Sequence, residues 1–200
     1  MYKKLLIATG NPGKLVEIHE ILNPLSLSLN SPLDLGLALQ VKESGHTYSE
    51  NARLKAEAYL QAAGLPVLSD DSGLEVDALD GAPGLYSARF SPKTNANDAD
   101  RRDYLIQQLK GKPRPWKAIF HCTAILSLPD GRHFETTGRC EGIIIPEERG
   151  TSGFGYDPVF FLPEYKKTMA ELGPEVKNKI SHRARALQAM MPNLRQVFGI

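Results

Sequence analysis

Asp70 and Asp71 stand side by side in Ser69-Asp70-Asp71-Ser72-Gly73. Adjacent carboxylates repel one another, so the pair asks for cations or hydrogen-bond donors opposite it. Hard oxygen ligands of this kind suit Mg²⁺, which takes one or two carboxylates and completes its octahedron with waters and substrate phosphates. The same residues also suit a polar hairpin turn, where Asp, Ser and Gly are common. An aspartyl-phosphate phosphatase would carry Asp-x-Asp at a strand end, whereas the second acid here is adjacent. Glu43, in Lys42-Glu43-Ser44-Gly45, is a further candidate metal ligand, and Lys55 a candidate phosphate cation. Both residue types are more often solvated charges.

Thr9-Gly10-Asn11-Pro12-Gly13-Lys14 is a second candidate. Its glycines let backbone amides approach an anion, the helix start behind them adds partial positive charge, and Lys14 adds a full one. It is not the phosphate loop of nucleotide kinases, which needs four residues between its glycines and then Lys-Ser/Thr. A plain strand-to-helix turn would read the same way. In Gly153-Phe154-Gly155-Tyr156-Asp157-Pro158, glycines bracket an aromatic ring and leave it open to a flat group. Base–aromatic stacking is worth about 1–3 kcal/mol, and Asp157 could accept from a ring nitrogen or a sugar hydroxyl. The alternative is a turn whose rings plug the core. Lys177 and Ser181-His182-Arg183 gather donors near a helix start, able to read a base carbonyl or simply to be solvated.

These segments need elements to hold them. Lys3 to Ala8 reads as a short buried strand, and Lys14 to Leu22 carries Leu15, Ile18 and Leu22 at helical spacing. A second helix is expected from about Tyr48 to Ala63, with Thr47 and Glu50 as a capping box and Gly64 as its stop. Pro66–Ser69 and Leu74–Ala78 read as two strands flanking an Asp70–Gly73 turn. Ala96–Leu109 is a helix with Asn95 as cap. Trp116–Leu128 and His133–Ile145 form a hairpin around Pro129-Asp130-Gly131, and a final helix follows Ser181. Helices interleave with strands while the hairpin is antiparallel, which predicts an α/β fold on a mixed sheet with helices on its faces.

At 200 residues the chain suits one domain, or one domain with two lobes, and needs no disulfide or structural metal to hold a core. Its formal net charge is +1, which argues against nucleic acid or an anionic membrane as the main partner but not against a small anion. Two cysteines, Cys122 and Cys140, make neither a disulfide framework nor a metal clip. The short apolar run Leu5–Ala8 suits neither a signal peptide nor a membrane span, so the expected location is the cytoplasm.

Taken together, Thr-Gly-Asn-x-x-Lys, Asp-Asp-Ser-Gly-Leu, Gly-Ala-Pro-Gly-x-Tyr-Ser-Ala-Arg (Gly81 to Arg89), Gly-Phe-Gly-Tyr-Asp-Pro and Ile-Ser-His-Arg occur in order from residue 5 to about 190. In this the chain resembles the inosine/xanthosine triphosphate pyrophosphatase family, enzymes that clear deaminated purine nucleotides. The resemblance implies two lobes on a long mixed sheet with the active-site cleft between them, a homodimer, and Mg²⁺-dependent hydrolysis to a monophosphate and pyrophosphate. It implies that Thr9, Gly10, Asn11, Pro12, Gly13, Lys14 and Ser72 hold the triphosphate, with Lys55. Asp71 becomes the general base and, with Glu43, binds Mg²⁺, while Asp70 holds a water of the metal shell. Phe154 stacks on the base, Gly155, Tyr156 and Asp157 shape its pocket, and Lys177, His182 and Arg183 address the 6-keto edge. Activity is expected to rise toward alkaline pH. Adenine presents a donor at position 6 and would leave those buried donors mismatched. Rival readings are a non-catalytic nucleotide-binding module and a related hydrolase of pyrimidine or methylated nucleotides.

Overall fold

The computed structural model describes residues 2–200. The chain enters through strand β1 (Lys4–Ile7) and turns at once into helix α1 (Pro12–Leu22). Asn11 caps α1 by accepting from the Lys14 amide, and Pro12 takes the first helical position, where a missing N–H costs nothing. Strand β2 (Ser28–Asn30) and helix α2 (Tyr48–Ala63) follow. As expected, Thr47 caps α2 by accepting from the Glu50 amide and Gly64 ends it; the Glu50 carboxylate, however, reaches back to the amide of His46 at 2.6 Å.

Strand β3 is one continuous element, Val67–Val76. The expected pair of strands with an Asp70–Gly73 turn is therefore corrected: both carboxylates lie in mid-strand, with Lys14 on the Asp70 side chain and Lys55 on the Asp70 carbonyl. Strand β4 (Pro83–Gly84) pairs antiparallel with β3. Helix α3 (Asp98–Leu109) starts two residues later than expected, because Asn97 and Asp100 form the reciprocal capping box while Asn95 adopts a left-handed backbone. Strands β5 (Trp116–Ser127) and β6 (His133–Ile144) make the expected hairpin, closed by the Leu128 amide on the Arg132 carbonyl at 2.9 Å. Strands β7 (Phe160–Leu162) and β8 (Lys167–Thr168), helix α4 (Gly173–Ile180) and helix α5 (His182–Phe198) complete the chain.

The strand order is β2-β1-β3-β5-β6-β7-β8, with β4 beside β3. Pairs β1/β2 and β1/β3 are parallel, β6/β7 and β7/β8 antiparallel, which is the mixed sheet predicted from sequence. The chain divides into two compact units. One comprises residues up to Asp71, 122–138 and 182–200; the other comprises 72–121 and 139–181. In the first unit Leu5 and Ile7 pack with Ile18 and Leu22 of α1 and Leu187 and Met190 of α5, whereas Leu6 and Ala8 pack with Ala52 and Ala56 of α2. A strand buried on both faces explains why Leu5–Ala8 is uniformly apolar instead of alternating. The second unit closes around Leu74, Leu105, Leu109, Trp116, Phe120 and Phe160. Among the described residues no helix is long and apolar enough to cross a membrane.

Candidate active site

In the first unit the chemistry gathers around β3. Lys14, one turn into α1, donates to Asp70 Oδ2 at 2.9 Å. Arg183, in the first turn of α5, reaches the same oxygen through Nε at 3.3 Å and Nη2 at 3.2 Å and also donates to Glu17. Arg183 is 1% exposed and Asp70 2%. Burial opposes ionisation of Asp70, but Lys14, Arg183 and Lys55 together outweigh it and hold the carboxyl far below the ordinary range. Its other oxygen, Oδ1, is buried without a hydrogen-bond partner.

Asp71 has a different environment. Burial raises its carboxyl above the ordinary value, with Glu43 adding to the rise and Lys55, Lys14 and the Asn51 amide opposing it. Lys55, on α2, donates to the Asp70 carbonyl at 2.5 Å, meets Glu43 Oε1 at 2.7 Å and lies 3.6 Å from Asp71 Oδ1. Two carboxylates thus converge on one ammonium. Neighbouring carboxylates driven apart in pKa are a signature of divided roles, one a permanent counter-ion and the other a group that can exchange a proton.

The donor set fits Mg²⁺. Glu43 and Asp71 supply the one or two hard oxygens this ion takes from protein, and the orphaned Asp70 Oδ1 is the kind of buried acceptor that a hydrated cation satisfies. Among the described residues no three His, Cys, Asp or Glu side chains stand close enough to cage a metal alone.

Two partners here carried no motif. Asn51 donates to Asp71 Oδ2 at 3.2 Å and accepts from the Gly45 amide at 2.8 Å, tying the Glu43 loop to α2. Glu17 lies three residues beyond Lys14 on α1, and only the fold brings Arg183 to it. The loop before α1 is ordered by Thr9 Oγ1, which accepts from the Asn11 amide at 3.1 Å, and a side chain at Gly10 would meet nothing within 4 Å. Pro12 and Gly13 form the start of α1.

In the second unit Phe154, Asp157 and Lys177 come together. The Lys177 ammonium stands 4.9 Å from the Phe154 ring centroid and is ion-paired with Asp157. Asp157 Oδ2 also accepts from the Phe154 amide at 2.9 Å. Gly153 is required twice over: its φ is +81°, and a Cβ there would lie 2.1 Å from that same oxygen. Tyr156 is buried with its hydroxyl on the Ser87 carbonyl at 2.9 Å, and burial pushes its phenol well above its ordinary pKa.

Lys177 sits in the last turn of α4, a helix the sequence reading did not anticipate, rather than near a helix start. His182 is buried as the first residue of α5. Arg183, expected as a donor to a base edge, is held by Glu17 and Asp70. Ser72 opens the second unit, immediately after Asp71 in β3.

The Ham1 family model matches residues 5–193. The dITP/XTP pyrophosphatase of Thermus thermophilus is 48% identical over 191 residues, 94% of this chain and 90% of that protein. Its counterpart in Desulforamulus reducens is 44% identical over 196 residues, 98% and 97% of the two chains. Among solved structures, the Ham1 protein of Staphylococcus aureus superposes with a TM-score of 0.85 at 37% identity, over 97% of this chain and 99% of that one. A match of this extent, in sequence and in fold, places the chain in the Ham1 family.

Proposed function

We propose that this chain is a nucleoside triphosphate pyrophosphatase acting on deaminated purine nucleotides, those of hypoxanthine and xanthine, and releasing pyrophosphate and the nucleoside monophosphate. The observation that carries the reading is the convergence of Glu43 and Asp71 on one cation beside the Lys14–Asp70 pair. The names of the relatives supply the substrate class.

In this reading the Thr9–Gly13 backbone, Lys14, Lys55 and Ser72 bind the triphosphate, the amides and cations facing its anionic oxygens. Glu43 and Asp71 would hold Mg²⁺, with Asp70 toward its water shell, and the ion when bound neutralises charge on the triphosphate. Asp71 takes the proton of a water whose oxygen bonds to the α-phosphorus; the bond to the bridging oxygen breaks, and its electron pair leaves with pyrophosphate. A carboxyl that burial raises above the ordinary value is a better base than an ordinary Asp, and general-base help contributes about 10²–10⁴-fold. The base lies on Phe154, and Lys177 and His182 donate toward an acceptor at position 6, while Arg183, engaged by Glu17 and Asp70, holds the charged network behind Lys14 in place. A homodimer belongs to the same reading, tested by light scattering returning twice the chain mass.

The deciding experiment is pyrophosphate release, with Mg²⁺, from inosine, xanthosine, guanosine, adenosine and thymidine triphosphates. Preference for the first two is expected. Equal turnover of all five, or a preference for thymidine triphosphate, overturns the substrate class.

A further inference from the structure

Asp98 and Arg102 lie four residues apart, on one face of the first turns of α3. Asp98 Oδ2 accepts from the Gly155 amide at 2.7 Å, and Arg102 Nη1 donates to the Gly155 carbonyl at 2.8 Å. Both polar groups of a single backbone residue are thus gripped by charged side chains of one helix. Each side chain is itself anchored. Arg102 meets Glu148 fork to fork, Nε to Oε1 at 2.7 Å and Nη2 to Oε2 at 2.9 Å. Asp98 pairs with Arg101, which also donates to the Ala96 carbonyl at 2.6 Å and the Ala88 carbonyl at 3.2 Å.

Gly155 is only partly exposed, so its N–H and C=O need partners, and one helix supplies both from charged side chains. Gly155 has φ +62°, and a Cβ there would meet nothing within 4 Å. Its freedom therefore serves backbone direction, not close packing. That direction matters because Phe154 immediately precedes it. The Phe154 amide is already fixed by Asp157, so holding Gly155 leaves the intervening backbone little freedom, and the ring's heading follows. Charge-assisted bonds of this geometry are the stronger and more directional kind.

We propose that Asp98 and Arg102 are positioning residues for base selection: through Gly155 they set the Phe154 ring against which the purine stacks. This rests on Phe154 being the base-stacking residue of the function proposed above. A merely structural role predicts instead that anything loosening the start of α3 has the same consequences.

The test compares Asp98→Ala and Arg102→Ala with Asn97→Ala, which removes the α3 cap without touching Gly155. Affinity for inosine triphosphate is read by calorimetry, and KM and kcat by pyrophosphate release. Each clamp variant is expected to weaken affinity and raise KM about tenfold, a loss within the range of one base–aromatic stack, with kcat within about threefold. Inhibition by pyrophosphate alone stays unchanged, because it reports only the phosphate end. Asp98→Asn, which keeps an acceptor for the Gly155 amide, and Arg102→Lys, which keeps one donor, recover part of the loss. Asn97→Ala lowers the melting temperature but not the affinity. The proposal is overturned if Asn97→Ala weakens affinity as much as the clamp variants, if the clamp variants keep wild-type affinity, or if pyrophosphate inhibition weakens with it. Wild-type protein that binds inosine triphosphate but releases no pyrophosphate overturns the enzymatic reading alone, and the calorimetry still decides the clamp.

Discussion

The two units solve different physical problems with the same few residue types. Around β3, the first unit buries Asp70, Arg183 and Glu17 and closes the set with the part-buried Lys14, so that every ion is answered by another. Around Phe154, the second unit buries one Lys–Asp pair and builds the rest from a ring, two glycines and backbone groups held by a helix. Fixed buried charge suits a centre where charge must be stabilised as bonds change, because such groups need no reorganisation at the moment of reaction. A ring presented on a held loop suits recognition, where shape and hydrogen-bond polarity discriminate. The contrast teaches that loss of a charge in the first unit should be felt in turnover or folding, and loss of a contact in the second mainly in affinity.

The largest effect is expected at Asp71. Replacing it by Asn keeps the shape and the contact with Asn51 but removes the proton acceptor, so turnover should fall by about 10²–10⁴-fold or more. Affinity for inosine triphosphate should stay within a few fold, measured by calorimetry beside pyrophosphate release. A variant that binds poorly and turns over normally when saturated would assign Asp71 to substrate binding instead.

Next in size is stability at the buried network. Arg183→Met leaves Glu17 and Asp70 without their guanidinium, and breaking a buried pair from one side costs about 3–5 kcal/mol. Denaturant unfolding would show it; a loss below about 1 kcal/mol would mean that water reaches these carboxylates. In the second unit Phe154→Ala is expected to forfeit about 1–3 kcal/mol of base stacking, raising KM with little change in kcat or folding stability. That asymmetry, read from the same pair of assays, tests the division of labour directly.

How much of this was readable from residue order alone follows the same divide. Motifs of contiguous residues were visible: the Thr47 cap, the Gly153–Asp157 turn and the Asp70–Asp71 pair all declare themselves locally. What stayed hidden depends on partners distant along the chain. Asp70–Asp71 read as a turn because two adjacent acids are poor strand formers by propensity, and a buried strand is tolerable there through cations from elsewhere in the chain, Lys55 from 15 residues away, Lys14 from 56 and Arg183 from 113. Asn97 outcompetes Asn95 as a cap because Asp98, which could have completed the earlier capping box, is engaged by Gly155 and Arg101. Helix α4 was missed because Gly173-Pro174 resembles a break, although Pro is well placed at a helix start.

Asp70 and Asp71 also give opposite pH signatures. Asp70 is held low in the folded state, so the stability it contributes is complete above the ordinary carboxylate value and is lost as pH falls through the folded value. Asp71 is raised, so folding binds its proton more tightly, and its ionisation works against folding as pH rises through the raised value. Melting temperatures should therefore fall for Asp70→Asn at neutral pH, with the deficit closing only in strong acid. For Asp71→Asn they should hold or rise at pH 8, with the difference vanishing below the raised value. In the metal-free protein the Asp71 carboxyl, followed by NMR, should titrate above the ordinary carboxylate range, and an unshifted value would mean that burial does not tune it.

The smallest expected effect is a silence. Cys122 lies 3.9 Å from Asp70 Oδ2 and is 1% exposed; burial foremost, with the Asp70 charge adding to it, pushes its thiol up to about 12. Cys140 is 2% exposed in the core of the other unit. A thiolate is the reactive form, so neither residue should react with an aromatic disulfide reagent at pH 8 while the protein is folded, and both should react in denaturant. Because Cys122 lies against Asp70 in the first unit and Cys140 belongs to the second, the rate at which each becomes reactive in low denaturant reports local opening of its own unit. If Arg183→Met exposes Cys122 while leaving Cys140 silent, the buried charges are what keep the first unit shut; equal acceleration of both would mean that the two units open only together.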